Sequence, residues 1–226
     1  MPLVDASLAF AEELEQRDAA LAERLALLGD LGLRVDDLRA QVERLGRFLD
    51  RLPAELAQLD VTRAQAEGDL AVARTALERA RHSSERARGE DAVAAARKYE
   101  ARAATDARTR EERRTRLAAR REGLEQEADA ADAGSRSLEA QAHELAAELE
   151  RAPRVTRPDP PVGGLDGLRE WGSRAHAAVF VARSGLETER EQVVREANEL
   201  AGSVLGEPVY ATSVAAVRRR LEERLP

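Results

Sequence analysis

LGLRVDDLRAQVERLGRFLDRLPAELAQL, residues 31–59, decides how this chain folds. Leu31, Val35, Leu38, Val42, Leu45, Leu49, Leu52, Leu56 and Leu59 follow one another at alternating spacings of four and three. On an α-helix that spacing draws a narrow apolar stripe, two positions per heptad, which is a coiled-coil seam. The seam reaches back through Leu28, Leu21 and Leu14, and forward through Leu70 and Leu77, with Arg63 as its one interruption. A long helix with so thin an apolar edge has no core of its own, so it needs a second strand to cover the edge.

The seam then changes character. One phase continues as alanines, Ala66, Ala73, Ala80, Ala87, Ala94 and Ala101, while the other becomes Ser84, Asp91, Lys98 and Thr105. No leucine occurs between Leu77 and Leu117. Alanine buries little area, so each such layer contributes far less than a leucine layer at ~25 cal/mol per Å². Leucine returns in a new phase, Leu117, Leu124, Ala131, Leu138 and Leu145, alternating with Ala128, Ala142 and Leu149.

Composition agrees with long helices. Charged residues make up 35% of 226 and aromatics 3%, with one Trp, so a thick globular core is not expected. All but one of the 36 Lys and Arg residues are arginine, as GC-rich codon usage would produce. There is no cysteine, which removes disulfides, thiolate metal sites and cysteine nucleophiles and fits a cytoplasmic protein. The first residues do not form a secretory signal, and the longest apolar run, AAVFVA (177–182), is too short to span a bilayer.

Breaks in the helical pattern are expected near 29–36 (Gly29, Gly32), at Pro53, and at 83–90, where Ser83, Ser84 and Gly89 allow a hairpin. RAPRVTRPDPPVGG (151–164) cannot continue a helix and reads as a stiff linker. After it Leu165, Leu168, Trp171, Ala175, Val179, Ala182, Leu186, Val193 and Ala197 recur near the helical period, with a stop at Gly206 and Pro208. A short last helix follows a cap at Thr212 or Ser213. The expected fold is all-α: an elongated coiled coil over 5–150, hairpin or oligomeric, then the linker, then a small helical module over 165–225. Leucine-rich arms on both sides of the leucine-poor middle favour folding back, whereas the lack of a turn signal near residue 97 opposes it.

Charge is segregated. Residues 1–78 and 122–226 each carry a net −7, and 79–121 carry +7. Within that basic segment, RTREERRTRLAARR (108–121) places seven arginines in fourteen positions. Arg108, Arg113, Arg114, Arg120 and Arg121 are the candidate nucleic-acid contacts, although carboxylates three or four residues away can neutralise most of the stripe. Arg113 and Arg120 have no such neighbour. Trp171, Phe180 and Leu186 are candidate docking residues for a protein partner, with internal packing as the plainer expectation.

No catalytic, cofactor or metal site is expected. HELAAE (143–148) lacks the second histidine of a zinc helix, and Glu139 with His143 reads as an exposed pair. GGLDG (163–167) follows a proline linker rather than a strand and lacks the lysine of a phosphate loop. In its heptads alone the chain resembles bacterial coiled-coil proteins of the chromosome-organising and cell-division kind. The expected role is non-enzymatic: a scaffold, spacer or adaptor joining proteins, or self-associating, through the heptad seam. The alternative is a nucleic-acid-associated coiled coil using 79–121.

Overall fold

A computed structural model describes the backbone of residues 2–224 and the side chains of 6–224. It contains four helices and, among the described residues, no strand: α1 Pro2–Arg86, α2 Glu90–Arg151, α3 Gly164–Leu205 and α4 Val214–Arg224. The chain divides into two compact units that do not follow chain order. One comprises 1–43 and 135–226, the other 44–134. The sequence division into 5–150, 151–164 and 165–225 therefore differs from the structural one, because C-terminal segments pack with the first part of α1.

In the unit of 44–134 the chain reverses at 87–89. The Ala87 N–H still donates to the Ser83 carbonyl at 3.1 Å, Gly89 then takes φ +84°, and its carbonyl accepts from Val93 at 3.0 Å. Positive φ favours glycine because it has no Cβ to clash. A connection of three residues leaves two helices only an antiparallel course. Ion pairs agree with that direction: Arg81–Glu100 (3.8 Å), Arg74–Glu111 (2.7 Å) and Asp60–Arg121 (3.0 Å) fall on one helix as they rise on the other. Ala66, Leu70, Ala73 and Ala80 of α1 are buried, as are Ala107, Leu124 and Ala131 of α2.

Two expectations change here. The alanine phase does not continue through Ala94 and Ala101, which are exposed; Val93, Ala96 and Ala103 are half-buried instead. The break at 87–89 restarts the helix in a different rotation. Nor does α1 break at Pro53, which lies inside it. Losing one N–H and crowding the preceding turn costs ~3 kcal/mol. Half-buried Leu49, Leu52 and Leu56 on both sides hold the helix through the defect.

In the other unit, α1 is uninterrupted through 29–36. Ala11, Leu14, Leu21, Leu28, Leu31, Val35, Leu38 and Val42 are at most 3% exposed. Leu138, Ala142, Leu145 and Leu149 of α2 and a face of α3 that includes Leu168, Trp171, Val179 and Leu186 are buried in the same unit. Gly32 lies opposite α3, where an added Cβ would stand in ordinary contact, 3.5 Å from Val179 Cγ1, so it marks a packed position within the helix rather than a turn. α1 and α3 run antiparallel, fixed by Glu43–Arg169 (3.2 Å), Asp36–His176 (2.8 Å), Asp18–Arg190 (2.6 Å) and Arg17–Glu196 (3.4 Å). Arg34 of α1 binds Glu148 of α2 through both guanidinium nitrogens, at 2.5 and 2.8 Å.

Residues 152–163 carry the chain from the end of α2 back along it. Twelve residues can reach ~40 Å when extended, more than the ~18 Å of α2 between Glu139 and Arg151. α3 accordingly begins beside Glu139, whose Oε1 accepts from the Gly164 N–H at 3.0 Å. Gly167 meets the linker so closely that a Cβ there would lie 1.5 Å from the Val162 carbonyl oxygen. At the other end Gly206 (φ +71°) closes α3. The Asn198 amide then grips the next turn, donating to the Ala211 carbonyl (3.0 Å) and accepting from its N–H (2.8 Å). Ser213, one of the two expected caps, accepts from the Ala216 N–H at 3.3 Å, and Val214, Val217 and Leu221 are fully buried.

Candidate functional site

The arginine stripe is spent on internal pairing. Arg108 meets Glu112 (3.3 Å), Arg114 meets Glu111 (2.8 Å), and Arg120 meets Glu127 (3.6 Å). Arg113 reaches Asp69 across the hairpin (4.0 Å). Arg121 bridges Asp60 (3.0 Å) and Glu125 (2.6 Å), and Arg110 is held by Asp106 and Asp69. Arg116 donates to the Glu112 carbonyl. The reason lies on the opposing arm, where residues 60–78 carry four acids against two arginines. Each such exposed pair adds little stability, but a cation already facing a carboxylate attracts phosphate weakly.

The cations left without partners lie elsewhere. Among the described residues Arg79, Arg86, Arg88, Arg97, Lys98 and Arg102 make no ion pair or hydrogen bond, and all are exposed. They surround the hairpin end. A groove of about 850 Å³ opens there, with Arg79, His82, Ser83 and Arg86 on the α1 side and Ala92, Ala95, Ala96 and Tyr99 on the α2 side. Tyr99 is 56% exposed. The sequence reading passed over this cluster because density of arginine, rather than freedom from partners, drew attention to 108–121. Setting α1 against α2 about the 87–89 turn would have exposed the difference.

The three docking candidates are not brought to one surface. Trp171 and Leu186 are fully buried, while Phe180 is 66% exposed beside Val181 at 67%. Trp171 Nε1 is buried without an acceptor among the described residues. An orphaned donor of this kind costs ~1–3 kcal/mol.

The remaining polar motifs are engaged locally. The Glu139 carboxylate takes the Gly164 N–H, and His143 Nδ1 lies 2.8 Å from the Glu139 carbonyl oxygen, so the two side chains do not face a shared ligand. His82 contacts Glu85 and His176 contacts Asp36. No group of three metal-binding side chains occurs among the described residues, and none of the described helices is long and apolar enough to cross a membrane. A second groove, about 630 Å³, is lined by Leu25, Ala26, Val194 and Thr212 with Arg183 and Arg190, which are already paired to Glu187 and Asp18. Hydrogen bonding to Asp18, then its charge, raises the Arg190 pKa. The same causes, led by the hydrogen bond to Arg34, hold the Glu148 carboxyl below its ordinary 4.5.

No protein-family model, curated protein or solved structure matches the chain.

Proposed function

We propose that this chain is a non-enzymatic scaffold, spacer or adaptor in which α1 and α2 form an intramolecular coiled coil and α3–α4 complete a docking module. The observation that carries the reading is where the chemistry goes: the side chains able to bind or react are used to hold helix to helix. Asp18, Asp36 and Glu43 of α1 face Arg190, His176 and Arg169 of α3, and the apolar seam is occupied from Ala11 to Val42. A partner would meet the exposed Phe180 and Val181, while Trp171 and Leu186 lie on the buried face of the same helix and serve internal packing. We place the protein in the cytoplasm on the same reading.

The test is cross-linked affinity capture from the source cells, wild type against Phe180→Asp with Val181→Asp. Both side chains are exposed, so the fold should persist. The expected result is a defined protein partner recovered with wild type and lost with the variant. Recovery of no protein, or retention of the same partner by the variant, overturns the proposed face.

A second reading, nucleic-acid association through 79–121, is supported only by the unpaired cations of 79–102.

A further inference from the structure

We infer that the hairpin end formed by residues 79–102 is a binding site for a short single-stranded nucleic-acid segment, with Arg79, Arg86, Lys98 and Arg102 holding phosphates and Tyr99 stacking on a base. The inference rests on the second reading above and narrows it from a forty-residue basic segment to one end of the hairpin.

Three observations meet there. First, the cations are free. Among the described residues outside this region, the arginines without an ion pair or hydrogen bond, Arg24, Arg44, Arg51, Arg151, Arg195 and Arg219, are spread over nearly two hundred positions with no more than two within any ten, whereas six such cations fall within 79–102. A phosphate approaching them displaces mobile counterions rather than a protein carboxylate, which is the favourable step in backbone binding. Second, their spacing is right for one face. Arg79, His82 and Arg86 follow at three and four residues along α1, and Tyr99 and Arg102 at three along α2, so each set lines one helix side. Arg79, His82, Arg86 and Tyr99 line one groove, and Lys98 and Arg102 stand outside its lining, within three residues of Tyr99 on α2. Third, Tyr99, the only Phe, Trp or Tyr of the basic segment, is more than half exposed, beside a floor of Ala87, Ala92, Ala95 and Ala96. Small side chains leave the ring face open to a flat ligand. Cationic walls with an exposed ring are the pattern that takes single strands, where every base offers a stacking face.

The acids nearby do not close the site. Glu85 sits by His82 at 3.4 Å, Glu100 is 3.8 Å from Arg81, and Glu90 and Asp91 occupy the first turn of α2. None is within ion-pair distance of the six cations. An anionic membrane would want large exposed apolar side chains to insert at the hairpin end, and apart from Tyr99 the exposed apolar residues there are alanines, Val93 being half-buried. A duplex would leave Tyr99 without an unstacked base.

The experiment is fluorescence anisotropy of a labelled fifteen-residue oligothymidylate, and of a duplex of equal length, against the full chain at two salt concentrations. Poly-glutamate serves as competitor. Wild type should bind the single strand more tightly, with a salt slope near −3 for about four phosphates, since each phosphate adds ~0.7. Tyr99→Ala should weaken binding about tenfold. Arg79→Ala with Arg86→Ala and Arg102→Ala should lower the slope by ~2, and the matching lysine triple should keep it. Arg108→Ala with Arg113→Ala and Arg120→Ala should bind as wild type does. Ellipticity at 222 nm checks that each variant remains helical.

If the stripe variant loses binding and the hairpin-end variant keeps it, this inference fails while the broader nucleic-acid reading survives. Absence of binding to either oligonucleotide at low salt removes both. Displacement by poly-glutamate at equal charge concentration points to an acidic protein and overturns the inference, as does a preference for duplex or an unaltered Tyr99→Ala.

Discussion

Leu28→Ala should separate the two units of the chain in a single titration. Leu28 is fully buried on α1 in the unit of 1–43 and 135–226. Truncating a leucine there removes its transfer free energy and leaves a cavity between packed helices, a loss of about 3 kcal/mol within the ~2–5 range for such sites. Trp171, the single tryptophan, is buried in the same unit, so its fluorescence reports that unit alone, whereas ellipticity at 222 nm reports all four helices. With a urea dependence of ~1–3 kcal/mol per molar, the Trp171 midpoint should fall by ~1–3 M. Leu70→Ala provides the contrast, since Leu70 is 4% exposed but lies in the unit of 44–134. It should shift the ellipticity transition and move the fluorescence midpoint much less. An unmoved fluorescence midpoint in Leu28→Ala, or equal fluorescence shifts in both variants, would refute the division argued here.

Three further outcomes follow from local geometry. Asn198→Ala removes two bonds to the Ala211 backbone and should cost about 2 kcal/mol, with faster hydrogen exchange at the Ala211 amide; unchanged exchange would count against the clamp. Gly167→Ala places a methyl group against the Val162 carbonyl and should destabilise by ~1–3 kcal/mol or more, so a melting temperature equal to wild type would contradict the close approach. Glu148, held below its ordinary 4.5 by Arg34, binds a proton less readily folded than unfolded, so its contribution is complete above 4.5 and is lost as pH falls through its folded value. With its side chain 40% exposed that contribution is only a few tenths of a kcal/mol. The stability deficit of Glu148→Gln measured at pH 7 should shrink progressively as pH is lowered below 4.5; a deficit that does not diminish on acidification would break the assignment.

The helical class and much of the buried face were legible in the sequence because burial on a long helix imposes a period. Leu14 to Val42 and Leu168 to Ala197 announce themselves in this way. Position along the chain was harder. Gly29, Gly32 and Pro53 look like breaks, yet packing on both sides carries α1 through them. The reversal falls at Gly89 rather than at the middle of the leucine-poor segment, and that offset moved the inner face from Ala94 and Ala101 to Val93, Ala96 and Ala103. Pairing across helices leaves no local trace. Asp69 and Arg113 are distant in sequence, and the reversal at Gly89 must be placed before the cross-helix part of the stripe's neutralisation, and the freedom of the hairpin end, can be seen.

The central claim is that α1 and α2 pair within one chain, and a spin-label distance tests it directly. The chain has no cysteine, so Asp60→Cys with Arg121→Cys labels only those positions. Packed helices hold their axes ~8–10 Å apart, whereas a single unbroken helix would separate these residues by ~90 Å. The account predicts a short distance that survives dilution with unlabelled chains. A distance near the longer value, or a short one that disappears on dilution, would contradict it.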